Sequence, residues 1–270
     1  MSTLRFVVLL PWAALGLLPL VWMVVTSLKT NSQVFAYPPT WVPDPLTLAH
    51  YERILLTSPF PRLFANSTLV GGVVTLAQVG TSVLAGFAFA RLRFRGENVL
   101  FLLFLGTLMI PDQVTYIPLF IVARYAHLVD TYFGLVLPVV VSPFGIFLLR
   151  QAFRGVPAEL EDAARIDGCG SWQTLWLVLL PVIRPSVATV ALFAFVGNWN
   201  AYFWPLIVTQ SNQMRTLPVG LRYFLADPDL GTDWAALMAA STLVLLPVLG
   251  VFLATQRQFV QGLMAGSLKG

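Results

Sequence analysis

The chain has 270 residues, 57% hydrophobic and only 10% charged, with a mean hydropathy of +0.79. A soluble domain carries about 25% charged residues, so water cannot be its main solvent. The formal net charge is +4, and one cysteine (Cys169) with two histidines (His50, His127) excludes an internal disulfide, a cysteine-rich metal site and a histidine metal cluster within one chain.

Residues 6–27, 67–90, 132–149, 187–209 and 235–255 contain no charge, and 99–122 contains one, Asp112. Each has about the length needed to cross roughly 30 Å of hydrocarbon as a helix. This predicts an all-α polytopic membrane protein with six transmembrane helices, forming one membrane domain over 1–270. The first apolar run exceeds the roughly 7–15 residues of a secretory signal core, and Thr26-Ser27-Leu28-Lys29 offers no small-x-small cleavage site, so a retained first helix is expected. The following loop, 28–66, is rich in proline (Pro38, Pro39, Pro43, Pro45, Pro59, Pro61) and carries Tyr37, Trp41 and Tyr51, which suit a membrane–water boundary. Residues 91–98 and 123–131 are tight connections, 150–186 a large loop, and 210–234 another loop containing Asp227-Pro-Asp229. Prolines fall within most spans (Pro11, Pro19, Pro111, Pro118, Pro138, Pro143, Pro205, Pro247), which predicts kinks. Those kinks fit either ordinary bundle packing or helices that rock between two arrangements.

An even number of spans places both termini on one side. That side holds Arg5, Arg91, Arg93, Arg95, Arg150, Arg154, Arg165, Arg184, Arg257 and Lys269, ten basic residues against six opposite (Lys29, Arg53, Arg62, Arg124, Arg215, Arg222). The positive-inside rule then makes both termini and the 150–186 loop cytoplasmic. The net charge is thus a topology signal, with no nucleic-acid partner implied.

The inner loop carries the most specific pattern, a helix expected over about 157–170. Pro157 suits its first turn, Glu159, Glu161 and Asp162 suit the positive end of the helix dipole, and Glu161 and Arg165 are spaced for an i,i+4 pair. Gly168 and Gly170 supply an end. Leu160, Ala163, Ala164 and Gly168 share one face with almost no side-chain bulk, so a partner's surface can approach the backbone closely. A helix lying on lipid headgroups would instead present large apolar residues and a basic face, and this acidic face would be repelled by an anionic leaflet. Docking into a protein is therefore the expected role.

Asp162-Ala163-Ala164-Arg165-Ile166-Asp167-Gly168, followed by Leu180-Pro181, resembles the inner-loop signature of the permease subunits of bacterial ABC importers. The likeness is to the carbohydrate-uptake type similar to the second maltose permease subunit. The family usually has Glu at the position of Asp162. Landmarks extend along the chain: Thr26-Ser27-Leu28-Lys29-Thr30, Pro38-Pro39, Asn66-Ser67, Ala88-Phe89-Ala90-Arg91, Ile110-Pro111, Ile117-Pro118-Leu119-Phe120, Asn198-Trp199-Asn200, Trp204-Pro205-Leu206 and Gln256-Arg257-Gln258-Phe259 through Lys269-Gly270. Asn198-Trp199-Asn200 lacks the acid usual there. The resemblance implies a type I ABC importer permease fold with a coupling helix between spans four and five. It also implies a second homologous permease subunit, two ATP-binding subunits and an extracytoplasmic solute-binding protein, in a bacterial inner membrane whose lipid surrounds the bundle. ATP and Mg would be used by the partner, with no cofactor bound by this chain, in keeping with the lack of a Gly-x-x-x-x-Gly-Lys-Ser/Thr loop. The ATPase contact is expected at Glu159, Glu161, Asp162, Ala163, Ala164, Arg165, Asp167 and Gly168.

Candidate solute-path residues are Asp112, Gln113 and Tyr116 around the one charge within a span, and Asn198, Trp199, Asn200 and Tyr202, where amides and aromatic faces suit sugar hydroxyls and rings. Packing between helices is the competing role for these polar groups. A membrane-embedded enzyme would need convergent acids, histidines or a metal site, and a channel would need rings of charge or carbonyls. Neither pattern is present, so no catalytic or metal-binding residue is expected. The spans as delimited contain no Lys or Arg, which favours a neutral sugar over a glycerol phosphate, with amino sugars also open.

Overall fold

Long runs of Leu, Val, Ala and Phe broken by proline fold as helices throughout the computed structural model, which describes residues 2–224 and 232–267; Asp227-Pro-Asp229 and Lys269-Gly270 lie outside the described residues. Three helices, containing Leu9–Ser27, Phe60–Arg91 and Trp234–Gln256, are each long and apolar enough to cross a membrane. Three further candidates are bent pairs: Glu97–Thr107 with Asp112–Tyr125 (99°), Tyr132–Val139 with Pro143–Arg154 (43°), and Ser171–Val182 with Arg184–Trp199 (82°). Against the six transmembrane helices expected, the described residues give three unbroken candidates, or up to six if each bent pair is one span. The breaks have chemical causes: Pro111 caps the second half of the first pair in an extended conformation, and proline also biases the residue before it away from helix. Pro143 opens the second half of the next pair, where the Ser142 hydroxyl accepts from Gly145 N at 3.0 Å. Pro11, Pro19, Pro118 and Pro247, by contrast, sit inside continuous helices.

Large apolar side chains face outward on these helices, among them Leu9, Trp12, Leu102 and Leu103, each more than 60% exposed. Apolar exposure on that scale fits lipid as the solvent.

The chain sorts into two compact units. In the first, residues 1–65 and 216–247, the loop after the first helix closes on a buried lysine. Lys29 Nζ donates to the Thr40 carbonyl at 2.5 Å and lies 4.3 Å from the centre of the Trp22 ring, which meets Trp41 edge-on at 4.9 Å. Burial holds the Lys29 ammonium below the usual lysine range. Asp233 pairs with Arg53 at 2.9 Å and accepts from Ala236 N at 3.0 Å, capping the last helix.

In the second, residues 66–215 and 248–270, side chains interlock in clusters, two of which are the larger among the described residues. One gathers Val83, Phe87, Leu149, Phe153, Leu175, Leu179 and Val190; the other Val70, Val74, Ala123, Leu135, Trp204 and Val208. In lipid such packing, rather than water exclusion, holds helices together. Gly134 lies at a close approach: a Cβ there would sit 2.1 Å from the Leu128 carbonyl oxygen. Its own carbonyl accepts from Trp204 Nε1 at 3.1 Å.

Arg150, assigned above to the loop, instead belongs to the Pro143–Arg154 helix, where it is 6% exposed. Its Nε donates to the Phe89 carbonyl at 3.1 Å and its guanidinium lies 3.8 Å from the centre of the Phe101 ring. A bundle segment with no Lys or Arg is therefore not what forms: a carbonyl and a π face make this charge tolerable.

Asp130 joins two loops of the same unit. Its carboxylate accepts from Gln210 N at 2.9 Å and Ser211 N at 3.0 Å, while its own N–H donates to the Val208 carbonyl at 2.8 Å. Burial raises its pKa, but the Ser211 and Gln210 donors and the Arg215 charge outweigh that and hold it below the usual carboxylate range. A group depressed in the folded state stabilises fully above its unfolded value, about 3.9, and loses that stabilisation as pH falls through its folded value. Melting temperature should accordingly drop as pH falls below about 4, and Asp130→Asn should flatten that part of the pH–melting curve.

Candidate coupling surface and solute path

The expected helix forms over Glu159–Ile166. Its end is built by Gly168 at φ +83°: Cys169 N donates to the Ala164 carbonyl at 2.9 Å and Gly168 N to the Arg165 carbonyl at 3.0 Å. This is the Schellman arrangement, which places its left-handed residue where glycine alone is free of strain.

One face of the helix is fastened to its own chain. Arg91 Nε stands 2.7 Å from Glu161 Oε1, both side chains about one-seventh exposed, in a charge contact whose N–H is not aligned as a hydrogen bond. The same guanidinium donates at 2.6 Å to the carbonyls of Phe153 and Val156. The expected Glu161–Arg165 pair is therefore not the one made: Arg91 captures Glu161, and Arg165 lies 3.7 Å from Asp162 on the exposed side. Ala164 is buried at 5% exposure, so the small-residue face is split. Ala164 turns inward, whereas Glu159, Leu160, Asp162, Ala163, Arg165, Asp167 and Gly168 remain exposed. The most exposed large apolar side chain of the helix is Ile166, at 86%. Sequence reasoning passed over it, although it lies three residues beyond Ala163 and continues the same outward ridge.

Beyond Gly170 the chain re-enters helix at Ser171 and takes a π-helical form over Thr174–Leu179. Single π turns inside helices often mark functional places.

The solute-path candidates separate. Tyr116 stacks near Phe203 and Trp204, with ring centres 6.4 Å from each. Asn198 Nδ2 donates to the Ala194 carbonyl at 2.7 Å and reaches Gln78 Oε1 at 3.4 Å. Gln78, missed in the sequence because it is one amide in an apolar run, donates in turn to the Val139 carbonyl at 2.6 Å. Asn200 bonds back to the Val196 carbonyl at 2.9 Å. Trp199 is only 1% exposed and stacks on Phe195 at 5.4 Å, a core position. Asp112 and Gln113 are exposed in the first turn after the 99° break, and Tyr202 is 40% exposed. Asp112 is thus a helix-start acid at a break, where the dipole favours it.

The family profile described as binding-protein-dependent transport system inner membrane component matches residues 82–264, about two-thirds of the chain and including the Glu159–Ile166 helix. The chain belongs to that family. It is 34% identical to the arabinooligosaccharides transport system permease protein AraQ of Halalkalibacterium halodurans, over 96% of this chain and 93% of that one. It is 36% identical to the lactose transport system permease protein LacG of Rhizobium radiobacter, over 95% and 92%. It is 34% identical to the sn-glycerol-3-phosphate transport system permease protein UgpE of Yersinia pestis, over 92% and 90%. A crystal structure of a bacterial ABC transporter involved in the import of the acidic polysaccharide alginate contains a chain that superposes with TM-score 0.82 at 25% identity, covering 95% of both chains.

This permease is a polytopic bacterial membrane protein of the type I ABC importer architecture, and a non-catalytic subunit of a sugar-type importer. It works within a multi-subunit complex that includes a solute-binding partner, and ATP and Mg are handled by a separate subunit.

Proposed function

We propose that this chain is one of two homologous permease subunits of an importer for a sugar or oligosaccharide, with two ATPase subunits beneath it. In this reading each bent pair counts as one span, giving six, with both termini and the Glu159–Ile166 helix in the cytoplasm. That helix is the coupling helix. It seats in a cleft of one ATPase subunit, and closure of the ATPases on ATP switches the bundle from inward-open to outward-open. Hydrolysis resets it. Coupling requires a contact that differs between the two states.

The observation carrying this reading is the division of the helix into an anchored face and a presented one. Glu161 and Ala164 hold it to the permease, while Ala163 and Ile166 face outward with Glu159, Asp162, Arg165 and Asp167 around them. An apolar knob ringed by charge in a membrane-protein loop fits a protein cleft better than water or anionic lipid. The basic loop balance supports the orientation. Tyr116, Asn198 and Tyr202, with Gln78, are the side chains proposed to meet the solute. Glycerol phosphate and amino sugars stay as second readings for the solute, the first because a relative of similar identity carries that transport name.

Ile166→Glu tests the coupling. Because Ile166 is 86% exposed, thermal unfolding should not move. Burying a charge in an interface core costs on the order of 2 kcal/mol, so ATP hydrolysis stimulated by loaded binding protein should fall about tenfold or more in the reconstituted complex. Stimulation equal to wild type would show that the ATPase grips another surface.

A further inference from the structure

The Ser171–Val182 segment and the start of the Arg184–Trp199 helix enclose an apolar groove of about 350 Å³, lined by Trp176, Leu180, Pro181, Val187, Ala188 and Ala191, with Arg184 as its one charge. Beside it the chain exposes an unusual run of large apolar groups. Trp172 and Trp176 meet edge-on at 5.6 Å and are 64% and 42% exposed, with Leu177 at 68% and Val182 at 51%. Paired tryptophans, a long aliphatic and a nearby guanidinium are the composition of a segment lying at the headgroup boundary of a bilayer. The Arg184 side chain is exposed and forms no ion pair with any described carboxylate.

We propose that this groove holds one anionic phospholipid, an acyl chain lying along Leu180, Val187 and Ala191 and the headgroup phosphate on Arg184. The planar fork of a guanidinium matches phosphate oxygens, and the walls offer nothing to a polar solute. An acyl chain entering the groove leaves one apolar surrounding for another, so it supplies shape and little net energy. Selectivity must then come from the headgroup charge, which a basic side chain at an anionic surface favours about fivefold. The inference rests on the membrane setting of the chain and is independent of how the ATPase is gripped.

The test is native mass spectrometry of the full-length chain, purified with its complex, after exchange into equal amounts of phosphatidylglycerol and phosphatidylcholine with the same acyl chains. Wild type should retain phosphatidylglycerol about fivefold over phosphatidylcholine, Arg184→Lys should keep most of that preference, and Arg184→Gln should bring it to parity. Ala188→Trp fills the groove without touching the charge and should also abolish the preference, whereas Arg222→Gln, on a different unit, should leave it intact. Equal retention of both lipids by wild type overturns the proposal. So does full displacement of the lipid by millimolar inorganic phosphate, which would mark a simple anion site. A photoreactive side chain at position 176 that labels a second permease subunit instead of lipid would show a protein interface and overturn it as well.

Discussion

Arg91→Met should destabilise the folded chain by on the order of 3 kcal/mol, read as a lowered midpoint in thermal unfolding of the purified chain in detergent. Three contacts converge on this guanidinium: Glu161 at 2.7 Å and the carbonyls of Phe153 and Val156 at 2.6 Å each. Removal leaves a largely enclosed carboxylate without its counter-charge and two backbone acceptors without donors, and the cost of stranding such groups exceeds the net worth of the contacts. Arg91→Lys should recover only part of the loss, because one ammonium cannot reproduce a fork that serves three oxygens. Pairing Arg91→Met with Glu161→Leu should be less harmful than the sum of the two single changes by at least about 1 kcal/mol. If the pair proves additive, the charge contact is incidental and only the carbonyl bonds matter. A second effect follows in transport. If the Glu159–Ile166 helix couples to the ATPase as proposed, loss of its anchor should lower stimulated ATP hydrolysis even at temperatures where the variant remains folded.

Gly134→Ala is the other change expected to hurt most. The added carbon would lie 2.1 Å from the Leu128 carbonyl oxygen, 3.0 Å from that carbonyl's carbon and 3.3 Å from a Val208 methyl. Two of those atoms are backbone and cannot swing aside, and the neighbouring hydrogen bond from Trp204 Nε1 to the Gly134 carbonyl depends on the same spacing. Overpacking against a fixed main chain costs about 3 kcal/mol or more, so the variant should melt well below wild type or fail to accumulate. Gly197→Ala is the matched control. Nothing lies within 4 Å of a Cβ there, and in a helix interior the change should be neutral or stabilise by about 0.5–1 kcal/mol. Equal melting of the two variants would mean that the Leu128–Gly134 approach opens readily.

Local chemistry in the sequence was enough to place the Glu159–Ile166 helix and its ending. Acids in the first turn and a glycine that alone tolerates φ +83° are properties of the segment itself. Hydrophobic runs likewise marked where membrane-crossing helices would lie, because lipid demands length and apolarity and little else. Partners far along the chain were not legible. Arg91 and Glu161 are 70 positions apart, and a Glu161–Arg165 pair was the local solution until a distant guanidinium outbid it. The inward turn of Ala164 followed from the same anchoring. Angles at the breaks were also hidden: Pro111 and Pro143 announce that a helix is interrupted, not whether it turns through 99° or 43°. At Asn198-Trp199-Asn200 the composition suited sugar contact, yet only packing shows that Trp199 is core and that Gln78 lies 3.4 Å from Asn198. Arg150 escaped because a charge signals a span's end unless a carbonyl and an aromatic face wait for it inside.

The Phe60–Arg91 helix is unbroken over 32 residues, which at a rise of 1.5 Å each makes it about 48 Å long. A bilayer measures about 40–45 Å with its headgroups, so this one element outreaches the membrane. Arg91 sits at its last turn and grips Glu161 directly. That ion pair therefore ties the Glu159–Ile166 helix to the end of an element longer than the bilayer is thick.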